Sequence, residues 1–196
     1  MDLATLQTVN RFTLRQKITP MVNRYVVAVA GADGSEGEPV AYVEQKRLAF
    51  KEEVTFFADE RRTLPLFRFK ARQVIDFGAT YDVTSMDGQP IGLFRKDAAK
   101  SFLRSTWHLE QGAQAAVGQE RSPAVAIIRR LWEMVSDIPF FIPYHFDFTT
   151  AEGARIMSVD KTTTFRDRYL VEVHEPQLDR RLAIAMAVAL DALQSR

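Results

Sequence analysis

The chain has 196 residues, 46% hydrophobic and 26% charged, a composition of globular domains rather than disordered segments. Lysine and arginine number 26 against 25 acids, and a net charge of +1 argues against a broad nucleic-acid-binding surface, so no nucleic-acid partner is expected. The absence of cysteine removes disulfides, thiolate metal sites and thiol catalysis together.

Met1–Asn10 lacks the apolar stretch of a signal peptide. The longest uninterrupted apolar run, Leu182–Leu190, falls far short of the roughly 20 residues that span a bilayer. A soluble, cytoplasmic protein is the expectation. No segment repeats at the period of a solenoid or propeller; what recurs is alternation. In Arg11–Ile18, Phe12, Leu14 and Ile18 share one face while Arg11, Thr13, Arg15 and Lys17 share the other, the period of a half-buried strand. Tyr25–Ala30, Val40–Arg47 and Val54–Ala58 read as further strands, with Gly31–Pro39 an open loop between the first two. Leu66–Arg72 alternates cleanly. Thr80–Ser85 and Pro90–Lys96 flank Met86-Asp87-Gly88-Gln89, whose Asp-Gly step supplies the backbone angles of a tight hairpin.

Phe102–Glu110 is another strand, and Gln111–Arg121, small and polar, is expected to be an exposed loop. Ser122-Pro123 then opens a helix, with serine as N-cap and proline in the first turn. Val125, Ile128, Leu131, Trp132 and Val135 form its apolar stripe. Pro139 and Pro143 end it and allow only an irregular or edge strand through Phe140–Phe148. Arg155–Lys161 and Tyr169–His174 bring the strands to about eleven, with a twelfth hidden in the poorly patterned stretches. Leu178–Gln194 is helical without a breaker, and its middle is apolar on every side. A helix apolar all round must be surrounded. Its alternating alanines keep it thin enough to plug a barrel of about a dozen strands, which is too wide to fill with its own side chains. The expected fold is mainly β: one domain, residues 1–196, a closed antiparallel β-barrel of about twelve strands around a central hydrophobic C-terminal helix, plus one surface helix.

Several short sequences stand in a telling order: Tyr25-Val26-Val27, Gln45-Lys46, Leu66-Phe67-Arg68-Phe69-Lys70-Ala71-Arg72, and Tyr81-Asp82-Val83 ahead of Asp87-Gly88. Ile91-Gly92, Lys100-Ser101-Phe102-Leu103-Arg104-Ser105-Thr106-Trp107, Asp167-Arg168-Tyr169-Leu170-Val171-Glu172-Val173 and the apolar helix follow. In these the chain resembles the LURP-one-related proteins of the Tubby C-terminal-like superfamily, with phospholipid scramblases as more distant relatives. The resemblance extends from Phe12 to Leu193. It implies a twelve-stranded barrel threaded by a hydrophobic helix. It also implies a range of functions, from phosphoinositide binding in Tubby proteins to lipid-linked roles in scramblases. The chain lacks the cysteine cluster and membrane segment of scramblases, so scrambling is not expected.

The candidate site residues are basic. If Phe67 and Phe69 face the core, Arg68, Lys70 and Arg72 form an outward row, which either pairs with acids across the strand or binds phosphate oxygens. Lys96, Lys100 and Arg104 form a second basic group. His108, His145 and His174 lack the spacing of metal ligands, and His145 with Asp147 has no nucleophile beside it. Phosphate-binding loops and nucleophile elbows are absent from the sequence. The expectation is therefore a non-catalytic binding or regulatory module without cofactor or metal. Its ligand would be an anionic lipid head group or other phosphate-bearing molecule, met at a membrane surface as a peripheral protein. A protein-interaction scaffold is the alternative, and an enzyme with an unrecognised site the third reading.

Overall fold

Period-2 alternation dominates the structure as it does the sequence. A computed structural model describes residues 2–19, 22–46, 53–72, 78–97, 105–121, 145–162 and 168–194. A short helix α1 (Leu3–Thr8) precedes β1 (Arg11–Thr19), β2 (Val22–Ala30), β3 (Glu36–Lys46), β4 (Glu53–Phe57), β5 (Pro65–Ala71) and β6 (Thr80–Ser85). Then come β7 (Pro90–Lys96), β8 (Thr106–Gln111), β9 (Gln114–Glu120), β10 (His145–Thr149), β11 (Arg155–Lys161), β12 (Arg168–Val173) and a helix α2 (Arg180–Gln194). Each strand pairs antiparallel with its neighbours in sequence, and β1 closes the ring against β12, with Phe12 opposite Val171 and Leu14 opposite Tyr169. The result is a closed twelve-stranded barrel without a free sheet edge.

Alternate residues of every strand point inward, and α2 fills the space they leave. Leu182 to Leu190 are all 1% exposed or less. The helix touches β2, β5, β7 and β12, strands spread around the wall. Close approach is built in at Gly92 of β7, where a Cβ would stand 2.6 Å from Leu182 Cδ2. Between helix and wall runs a file of rings. Phe56 stacks on Phe67 at 4.2 Å between centroids, and Phe94 meets Phe69 and Tyr81 at 5.2 Å and Trp107 at 6.2 Å.

Polar anchors hold both ends of α2. At its start the buried Arg180 donates to the carbonyls of Val9, Pro176 and Leu178 at 2.9, 2.9 and 2.6 Å and to the Asn10 side chain. Gln7 of α1 accepts from the Arg180 amide and donates to Asp179. Near the other end, Asp191 accepts hydrogen bonds from Tyr25 of β2, at 2.8 Å, and Tyr169 of β12.

The structure departs from the sequence expectations in three places. Gln111–Arg121 is not a loop: apart from the turn at 112–113 it completes β8 and forms β9. Its inward Gly118 is small because Phe148 of β10 fills the space over it, and Ala116 is buried beside the same core. Gly31–Pro39 shrinks to a turn at 31–35, because β3 starts at Glu36 and pairs with β2 through bulges opposite Val27 and Ala28. Residues 3–8, assigned no element, form α1, capped by the Asp2 side chain on the Thr5 amide at 2.8 Å. The helix expected from Ser122, and the part of Phe140–Phe148 before His145, lie outside the described residues.

Candidate functional site

On β5 the expected alternation holds. Phe67, Phe69 and Ala71 are buried, while Arg68, Lys70 and Arg72 face outward. The register sets β4 and β6 acids beside them. Glu53 takes Arg68 Nη1 at 3.2 Å and Lys70 Nζ at 2.9 Å, and Asp82 takes two nitrogens of Arg72 at 2.7 Å each. The Lys70 hydrogen bond is the main cause holding the Glu53 carboxyl below its ordinary range. Three cations thus share two carboxylates, and one positive charge is left over. Lys96 does not join this row: it lies on the side of β7 that carries buried Phe94, with Nζ 5.8 Å from the Trp107 ring centroid. Lys100 and Arg104 lie outside the described residues.

Ion pairs run round most of the outer wall. Glu44 lies 3.2 Å from Arg24 and 3.0 Å from Arg62, and Arg121 lies 2.8 Å from Asp147 and 3.3 Å from Asp160. The three histidines have single polar partners among the described residues: His108 with Asp97, His145 with Asp160, and His174 with Ser158. Among the described residues no three His, Asp or Glu side chains converge as metal ligands would. No helix among them is long and apolar enough to cross a membrane.

The wall is concave where the barrel closes. The β1–β12 register puts Arg11 opposite Glu172, Thr13 opposite Leu170 and Arg15 opposite Arg168, all facing outward. The turn at 31–35 folds over these strands and is tied down by Arg11 Nη1 donating to the Ala32 carbonyl at 2.9 Å. The resulting depression, about 390 Å³, is lined by Arg11, Thr13, Arg168, Leu170 and the turn residues Asp33 and Gly34. Thr13 is only 2% exposed and its hydroxyl has no hydrogen-bond partner. Glu36 is engaged by both Arg15 Nε and Nη2 at 3.0 Å, so Arg168, at 3.4 Å, is its weaker partner. Arg11 Nε lies 3.0 Å from Glu172 but is not aligned to donate to it.

Two guanidinium groups and a buried hydroxyl therefore border one hollow, the donor set that suits a phosphate group. Its volume falls within the ~300–1,000 Å³ of small-molecule sites. Asp33 is the opposing charge on the rim, kept ionised chiefly by its hydrogen bond from Ser35. Sequence reading missed this hollow because Arg11 and Arg168 stand at opposite ends of the chain and meet only through barrel closure. Adjacent cationic letters drew attention to β5 instead.

No curated protein matches the chain. The family model described as LURP-one-related matches residues 40–191, from the middle of β3 to Asp191 on α2. The chain belongs to the LURP-one-related family.

Proposed function

We propose that this barrel is a non-catalytic binding module for a phosphate-bearing anionic group, carried by a lipid head group or by a free molecule. The observation that supports the reading is the hollow at the β1–β12 seam, where Arg11, Arg168 and the unpartnered Thr13 hydroxyl border a ligand-sized space. Shape decides between this hollow and β5. The β5 row keeps one uncompensated charge, worth about 1 kcal/mol near an anionic surface, or roughly fivefold in affinity. That is too little for recruitment by a flat wall. The reading agrees with the resemblance to Tubby C-terminal-like proteins and with a peripheral, cytoplasmic protein.

The test is co-sedimentation with phosphatidylcholine vesicles, with and without phosphatidylserine or phosphorylated phosphatidylinositol, beside a nuclear magnetic resonance titration with free inositol phosphate. The wild type is compared with Arg11→Gln/Arg168→Gln and with Arg68→Gln/Lys70→Gln/Arg72→Gln. Loss of binding in the seam variant alone, with its melting temperature retained, is the expected result. Vesicle binding without a response to the free compound assigns the ligand to lipid, and the reverse assigns it to a soluble molecule. Loss in the β5 variant alone moves the site to that row. A wild type that binds neither probe overturns the reading.

The alternative, a protein-interaction scaffold, is favoured by a different observation: the large hydrophobic side chains exposed among the described residues, Leu3, Leu64, Leu66 and Met86, belong to α1, β5 and the β4–β5 and β6–β7 turns.

A further inference from the structure

We infer that the end of the barrel carrying α1 is a docking surface for a basic, amphipathic segment of another protein, which inserts one apolar side chain beside α1. This goes beyond the anion-binding reading and shares with that site only the rim carboxylate Asp33.

The turns and α1 at this end carry the exposed large apolar side chains, and the cleft brings Leu3 and Leu66 together. Leu64 and Leu66 flank Pro65 at the start of β5, and the turn bearing Met86 leaves β6 just past the Phe67–Ser85 pair. Leu3 stands across from them on α1, 50% exposed, and Leu64 is 60% exposed. Between α1 and the wall lies a cleft of about 100 Å³ lined by Leu3, Leu6, Val40, Leu66 and Phe67, with Asp2 and Arg181 at its edge. Size sets its occupant. Small-molecule sites run to ~300 Å³ and above, so a cleft of about 100 Å³ suits one side chain of a partner better than a small molecule. An anchor residue seated in a pocket is the usual energetic centre of a protein–protein contact.

Charge sets the rest. Asp33, Asp59, Asp87, Glu152 and Glu175 stand in the turns of this end, against Arg61 and Arg62 as the bases in the same turns. Asp33, Asp59, Asp87 and Glu152 titrate below the ordinary carboxyl range. Asp87 is held low chiefly by Ser85 and Asp2 chiefly by the Thr5 amide, each below the ordinary carboxyl range. Arg181 at the cleft is committed to Asp179 at 2.6 Å. An apolar cleft at an end of the barrel whose turns carry more acids than bases fits a basic segment. At the cleft itself it disfavours an anionic lipid surface, and it disfavours a second copy, which would bring like charges face to face.

Two labelled amphipathic helical peptides serve as probes, one of leucine and lysine and one of leucine and glutamate, with fluorescence anisotropy as the readout. The Leu/Lys peptide binds the wild type and weakens as salt rises, while the Leu/Glu peptide does not bind. Leu3→Ser/Leu66→Ser, at two exposed positions and checked by thermal melting, lowers affinity about thirtyfold, as loss of an anchor does. Asp2→Asn/Asp87→Asn keeps the helix cap and the turn, because asparagine serves both, yet weakens binding about two- to fivefold per charge at low salt. Equal binding of the two peptides, or Leu/Lys binding unchanged by Leu3→Ser/Leu66→Ser, overturns the inference. So does a wild-type dimer in sedimentation equilibrium that this variant abolishes, or vesicle binding that it abolishes.

Discussion

Phe148 of β10 occupies the space that any side chain on Gly118 of β9 would need: a Cβ there would fall 2.2 Å from Phe148 Cε1. The two residues are paired in register, so neither strand can slip to relieve the clash. Gly118→Ala therefore destabilises the barrel by about 1–3 kcal/mol, the usual range of overpacking. Adding Phe148→Leu recovers part of that loss, because the ring is the obstacle. Urea unfolding of the two single variants and the double variant measures the coupling. Additive losses would mean that the strands separate freely and that the contact is unimportant.

Asp191 offers a second test, at the far end of the central helix. Tyr25 is 1% exposed and Tyr169 is fully buried, and both hydroxyls reach this carboxylate from opposite sides of β1. Asp191→Ala leaves two buried hydroxyls without that acceptor, at about 1–3 kcal/mol each. Tyr25→Phe/Tyr169→Phe, which removes the hydroxyls, costs less in the Asp191→Ala background than in the wild type. Denaturant titrations of the four proteins decide. A neutral Asp191→Ala would show that the helix is held by apolar packing alone.

The third test uses acid. Glu36, Glu53 and Asp147 titrate below their ordinary values of 4.5, 4.5 and 3.8, chiefly through hydrogen bonds from Arg15, Lys70 and Arg121. A carboxyl whose pKa is lower in the folded state stabilises the fold above its unfolded value, and that contribution disappears as pH falls through the folded value. The melting temperature should stay level from pH 7 to about 5 and decline below that. Each pair is partly exposed and worth little alone, about 1 kcal/mol or less, so the decline reflects their sum. Arg121→Gln, which removes the main partner of Asp147, makes the acid decline shallower. A melting temperature that climbs as pH drops from 6 to 3 would refute the assignment.

The architecture was legible because its strongest signals are local. The Asp87-Gly88 step sits at the hairpin between Thr80–Ser85 and Pro90–Lys96, with Gly88 at φ 85°. Leu182–Leu190 had no polar face to turn to water, and it lies inside the barrel. What escaped the reading depends on distant partners. β9 carries a glycine on its inward face because Phe148 lies over it, so its own letters look like a loop. The outward face of β5 was foreseen, but its neutralisation by Glu53 and Asp82 required the register of three strands. The seam hollow required β1 to meet β12, which no local pattern announces.

Closure of the ring by β1 and β12, with α2 as its filling, has a consequence for biosynthesis. A ribosome releases β1 early, yet the partner strand at 168–173 and the plug at 180–194 emerge late. Until then the inner faces of the wall, Phe12, Phe56, Phe67, Phe69 and Phe94 among them, have nothing to cover them. Contacts this remote in sequence make folding slow, and a half-made barrel presents apolar strands to any neighbouring nascent chain. The growing polypeptide is therefore a natural client for chaperones that shield hydrophobic strands, and its demand for them should end abruptly once the last helix clears the exit tunnel.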